Sequence, residues 1–310
     1  CLIALGAAVR LADPSSVPWL RNFVIVFGSL LVEATPFILL GAAVSAAIEV
    51  FVPSSVFARI ALLPRAFQLP AAAAAGVAFP VCECGSVPVA RRLTSKGLAP
   101  SAAITFMLAA PIVNPVVVGS TFIAYRGRDT MWTMVLGRLA LGFVVAMTVG
   151  WVMGRIGSDE LLRARSTDPQ RHEEADEPKG RRFFDHLAGD TMFMARFLIV
   201  GAALAAAIQT FVPRSVVDGV ASLPVLSLLA MMALAFVMSL CSESDAFVAA
   251  SFTAFGPSAQ LAFLVFGPMV DLKLTALYMG TYRRGFLRAV VLTAGTTTLV
   301  CTLWMQVIWG

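Results

Sequence analysis

The chain has 310 residues, 59% of them hydrophobic and only 13% charged, and its mean hydropathy is +0.85. Apolar runs of about 20 residues recur along most of it, each long enough to cross a bilayer core of roughly 30 Å, which excludes a soluble globular protein. The formal charge of +5 does not mark a nucleic-acid binder, because the basic residues gather in short loops between apolar runs, as membrane topology requires.

The expected architecture is an all-α polytopic membrane protein. Residues 1–21 read as the end of a truncated N-terminal helix and its loop. A first complete apolar segment runs from Asn22 to Val52, followed by a loop with Arg59 and Arg65. The stretch Phe79 to Arg92, FPVCECGSVPVARR, comes next. It follows the apolar run Leu69 to Ala78, so Cys82, Glu83 and Cys84 fall at membrane depth. Ionisable groups there usually mark a pathway or a site. Pro80, Gly85 and Pro88 are poorly suited to an unbroken helix, so a broken one is expected. Residues two apart in an extended segment point the same way, which would bring both thiols to one side.

Apolar segments follow at Pro100 to Tyr125 and Met131 to Gly154. Composition then changes sharply. Residues 155–190 hold half of the acidic residues beside seven basic ones and read as a charged linker, with His172 and His186 as exposed loop residues.

Beyond the linker the sequence repeats itself. FILLGAAVSAAIEVFVPSSV, from Phe37, matches FLIVGAALAAAIQTFVPRSV, from Phe197, and the same spacing of 160 pairs Glu83 with Glu243. After a three-residue deletion Pro111 pairs with Pro268, Asn114 with Asp271, and Arg126 with Arg283. Gene duplication explains agreement at Pro, Gly, Glu and Arg better than shared apolar composition. The repeats are 22–154 and 191–310. If the thiol segment and its counterpart, Leu223 to Ala250, enter and leave on one side, each half crosses three times and the repeats are inverted. Loop Lys and Arg then divide 15 to 5, which obeys the positive-inside rule and puts the linker in the cytoplasm. Transporters built this way place their site near the midplane, where broken elements of the two halves meet.

Candidate substrate-binding residues are Cys82, Glu83 and Cys84 in the first half and Cys241, Ser242, Glu243 and Asp245 in the second. Thiolates prefer soft ions, whereas carboxylates and hydroxyls suit harder cations or proton relay. Against this stands the plain alternative that a membrane cysteine is a small apolar residue. Asn114 and Asp271 accompany prolines in the third segment of each half, where a pathway and a structural kink are equally good readings. Arg138 and Arg196 either snorkel to an interface or act as counter-charges for the glutamates. No P-loop is present, and no cofactor, metal centre or catalytic residue is assigned.

FPVCECGSVPVARR, then KGLAPSAAITFMLAAPIVNPVV, and LCSESDAF in the second half together resemble the predicted-permease family that includes the ArsP-type organoarsenical efflux permeases. The resemblance extends from Phe37 to Arg288 and implies a bacterial inner-membrane permease. In arsenical-exporting members cysteines are thought to bind trivalent arsenic, a role that falls by motif position on Cys82 and Cys84. The CECG of this chain looks closer to a different branch, since the exporters more usually carry a small polar residue between the thiols.

The reading is a permease, not an enzyme, that moves a small thiol-reactive or sulfur-containing solute by alternating access. Protons are the candidate coupling ion, lipids surround it, and a homo-oligomer is compatible with the sequence. Two rivals stay open: a membrane thiol-redox or sulfur-transfer protein using Cys82 and Cys84, and a non-transporting assembly factor.

Overall fold

The structure, a computed structural model, describes residues 18–53, 64–79, 81–155, 178–211 and 224–309. The N-terminal stretch 1–17, Pro80 and His172 lie outside the described residues. All regular secondary structure in the described residues is helical.

In chain order the first half holds α1 (Pro18–Phe51), α2 (Arg65–Ala74) with a 3-10 turn (Ala75–Val77), α3 (Glu83–Ser95), α4 (Pro100–Val113), α5 (Pro115–Ala124) and α6 (Met131–Met153). The second half holds α7 (Lys179–Phe211), α8 (Pro224–Met238), α9 (Asp245–Ser251), α10 (Pro257–Phe266), α11 (Leu272–Thr281) and α12 (Arg284–Trp309). The order of long and short helices is the same in both halves, as the internal repeat requires. Helix α7 begins inside the segment expected as linker, so 179–190 is already helical and continuous with the apolar run that follows.

Helices α4 and α10 form the interior. Every residue from Ser101 to Val113 and from Ser258 to Phe266 is buried, and a helix apolar on all sides belongs in such a core. The long helices pack around them: α1 lies against α7, α6 against α12, α4 against α6, and α10 against α12. Their outer faces carry Trp132, Leu136, Trp151, Leu292, Val300 and Trp304, all exposed. Apolar surface of this extent suits lipid. Five helical stretches among the described residues are long and apolar enough to cross a bilayer: Pro18–Phe51, Pro100–Ala124, Met131–Met153, Lys179–Thr210 and Arg284–Ile308. This is a multi-pass membrane protein.

Breaks interrupt the remaining helices at corresponding places. Asn114 sits between α4 and α5 with φ −57° and ψ 129°, and its side chain accepts a hydrogen bond from Val116 N at 2.9 Å. Its counterpart Asp271 opens α11 and accepts from Leu274 N at 2.6 Å. Both therefore satisfy a backbone donor left free at a helix start. Carbonyls freed at helix ends find partners too. Lys96 donates to Glu49 O and Val52 O at 2.7 and 2.6 Å, while Gln209 donates to Met238 O at 3.0 Å.

Candidate functional site

The first break leaves Val81 and Cys82 outside helix, with Glu83 opening α3. Cys82 is the N-cap residue, and its Sγ accepts from Gly85 N at 3.4 Å. A carboxylate in the first turn is favourably placed against the helix dipole. Gly85 is required where α3 meets α1, because a Cβ there would lie 2.9 Å from Gly41 Cα. This backbone contact holds the Cys-Glu-Cys segment against α1.

The second break follows Met238. Ser239 takes the left-handed conformation (φ 49°), and its Oγ accepts from Leu272 N at 3.0 Å, linking the end of α8 to the start of α11. The chain then turns through Cys241, Ser242, Glu243 and Ser244 before Asp245 opens α9.

The two breaks meet. Glu83 Oε2 accepts from Ser242 Oγ at 3.1 Å and from Ser242 N at 3.4 Å, so the first half's carboxylate caps the second half's turn. Ser242 Oγ also lies 3.5 Å from Glu243 Oε2. Ligand atoms of Glu83, Cys241 and Glu243 all fall within 4.8 Å of one another. Cys82 and Cys84 lie within electrostatic range of Cys241 and of Glu243.

Two cations are buried with these groups. Lys273 Nζ lies 3.6 Å from Glu83 Oε1 and 3.8 Å from Asp271 Oδ2, with all three side chains about 1% exposed. Arg138 pairs with Asp245 at 2.7 Å and also donates to Thr121 Oγ1 at 2.9 Å and Ser242 O at 3.0 Å. The Lys273–Glu83 and Arg138–Asp245 pairs each join one half to the other. Ile38, Cys84, Met194, Leu198, Lys273 and Leu277 line a narrow crevice between α1, α3, α7 and α11.

Cys82, Glu83, Cys84, Cys241, Ser242, Glu243 and Asp245 thus gather at one place, and Asp271 joins them through Lys273. Asn114 is buried, but its observed bond is the cap on α5. Arg138 is a counter-charge for Asp245 rather than for a glutamate. Arg196 is exposed and stacks 5.3 Å above the Phe193 ring. His186 lies on α7 beside Arg92, with 3.2 Å between Nδ1 and Nη2. Sequence reasoning passed over Glu33, whose Oε1 accepts a hydrogen bond from Ser244 Oγ. Its signal was available, since Glu33 and Glu49 are the acids within the apolar helix α1.

A family described as predicted permeases, ArsP_1, matches residues 19–307, nearly the full chain. The chain belongs to this permease family. Its relatives include the UPF0718 protein YcgR of Bacillus subtilis, 39% identical over 265 residues that cover 84% of this chain and 89% of that one. A Streptococcus mutans relative called a putative two-component membrane permease complex subunit is 33% identical over 299 residues, covering 95% of this chain and 96% of its own. No solved structure matches. Membership supports a transporter class over an enzyme class, and it agrees with the all-helical, multi-pass architecture.

Proposed function

We propose that this permease carries a small thiol-reactive solute through a midplane chamber formed by Cys82, Glu83, Cys84, Cys241, Ser242, Glu243, Asp245 and Asp271, with Asn114 lining the approach from the first half. The observation that carries the reading is the bond from Ser242 to Glu83, which joins two interrupted helices from two duplicated halves. Non-helical backbone at membrane depth is tolerated where it is buried in protein or lines a cavity. Oppositely oriented repeats, with 155–190 on the cytoplasmic face of a bacterial inner membrane, fit the distribution of loop Lys and Arg.

Alternating access is the mechanism that fits best, because the halves differ where two states of one machine would differ. Helix α1 packs on α3, while its counterpart α7 packs on α11 instead of α9. Exchange of these packings would open the chamber to the other side. Glu83 and Glu243 are the groups we assign to proton exchange. The relative named as a two-component complex subunit supports a second protein as partner for this chain as well.

The test is uptake by purified protein in liposomes, screening arsenite, methylated arsenicals, sulfur oxyanions and thiol compounds. Transport of one class, reduced about tenfold or more by Glu83→Gln, is expected. Uptake that is equal in wild type, Glu83→Gln and the double change Cys82→Ser with Cys84→Ser would remove the site. Cysteines introduced at Lys96 and Gly180 should label from one side, and labelling from opposite sides would overturn the inverted topology.

A further inference from the structure

We propose that Glu83, Cys241 and Glu243 bind a thiophilic divalent cation of the zinc class and that this ion is the cargo. The proposal rests on the permease reading for its role as cargo, but the site itself stands on geometry. One ligand atom from each residue lies within 4.8 Å of the other two, and the three come from both halves of the chain. A tetrahedral ion with bonds of about 2.0–2.3 Å needs ligand separations of roughly 3.3–3.8 Å, so side-chain rotation closing by about 1 Å completes the site. The fourth position is left to water, as suits an ion that must enter and leave.

The donor set selects the class. One thiol with two carboxylates is too oxygen-rich for an ion that prefers sulfur alone and too soft for magnesium or calcium, which take oxygen throughout. Zinc, cobalt and cadmium accept such a mixture.

Two further observations point to a missing cation. The Cys241 side chain is 1% exposed, and no hydrogen bond reaches its Sγ among the described residues, although the sulfur faces both carboxylates. The chamber also holds more acids than bases. Glu83, Glu243, Asp245 and Asp271 surround Arg138 and Lys273, and among the described residues Glu243 has no basic partner within ion-pair distance. Two surplus carboxylates in a buried chamber call for compensation, and a divalent ion offsets both, leaving a single negative charge once the Cys241 thiol has ionised. Glu83 offers the cation Oε2, while Oε1 keeps its contact with Lys273. On binding, the Cys241 S–H bond breaks, an S–metal bond forms, and the proton leaves to water.

The experiment is titration of purified protein in lipid nanodiscs with cobalt(II), followed by its thiolate-to-metal charge-transfer absorption. One equivalent per chain is expected, displaced by zinc. Cys241→Ser should abolish the charge-transfer band, Cys82→Ser and Cys84→Ser should keep it, and the near-isosteric Glu243→Gln should weaken binding about tenfold or more. Gel-filtration profiles of the variants guard against misfolding. A band that survives Cys241→Ser, no binding at all, or unsaturable uptake showing an adventitious ion only would each overturn the site. Saturable cobalt binding without zinc uptake into liposomes would overturn the cargo role while sparing the site. Uptake of another solute by metal-free protein, with no cobalt bound, would overturn this inference and spare the permease.

Discussion

The two halves of the chain share one plan, yet the same glycine meets different neighbours in each. Gly41 of α1 packs on Gly85 of α3, whereas its counterpart Gly201 on α7 packs on α11, where an added Cβ would lie 2.7 Å from Lys273 Cα. The charges diverge in the same way. Glu83 of the first half is neutralised by Lys273, while Glu243 of the second has no such partner among the described residues and is only partly buried. The internal repeat in the sequence gives both halves one plan, and differences such as Asn114 against Asp271 make the residues where they meet chemically lopsided. The lesson is that near-identical packing segments can hold two halves in unlike arrangements without unlike folds.

Breaking the charge exchange between halves should have the largest effect. Asp245→Leu leaves Arg138 buried without its counter-ion, and a loss of about 3–5 kcal/mol is expected in unfolding measured in detergent. Adding Arg138→Met to that change should recover most of it, and no recovery would mean that the pair is not the cause. The glycine contacts come next. Gly41→Ala and Gly201→Ala should each cost about 1–3 kcal/mol through backbone overpacking. Gly28→Ala, on the same α1 but facing open space, should instead stabilise by about 0.5–1 kcal/mol. Equal effects at all three would dissolve the comparison.

Smaller still is the pair of caps. Asn114→Ala should cost about 1 kcal/mol, the usual loss for an N-cap. Asp271→Ala should exceed it, because Lys273 also loses a partner, and the difference measures how far the halves have diverged. Least affected should be Arg92→Ala, at under about 1 kcal/mol, since its contacts with Glu49 and Asp190 at 3.4 Å are partly solvated. The same contacts hold the last turn of α3 against the end of α1 and the N-terminal half of α7.

Much of this arrangement was legible in the residues because proline, glycine and charge are costly in an apolar helix. The breaks near Cys82 and Ser242 and the convergence of Glu83 with Glu243 followed from them. Partners in space were less legible. Arg138 offered two readings, and only tertiary contact identifies Asp245. Glu33 was visible as an acid within an apolar run, but its partner Ser244 is set by tertiary contact alone. The start of α7 was obscured for the opposite reason: 179–190 is charged and lacks apolar periodicity, yet it continues a helix whose later turns pack on α1. Asp190 shows why that extension is stable, accepting from Ser45 Oγ at 2.7 Å across the helix pair.

Arg138 finds its carboxylate 107 positions further along the chain. During synthesis the first half therefore reaches the bilayer with a guanidinium whose counter-ion has not yet been translated. Until α9 follows, α6 carries that charge unpaired, so a fragment ending within 155–190 is expected to accumulate less than the whole chain when the two are expressed side by side.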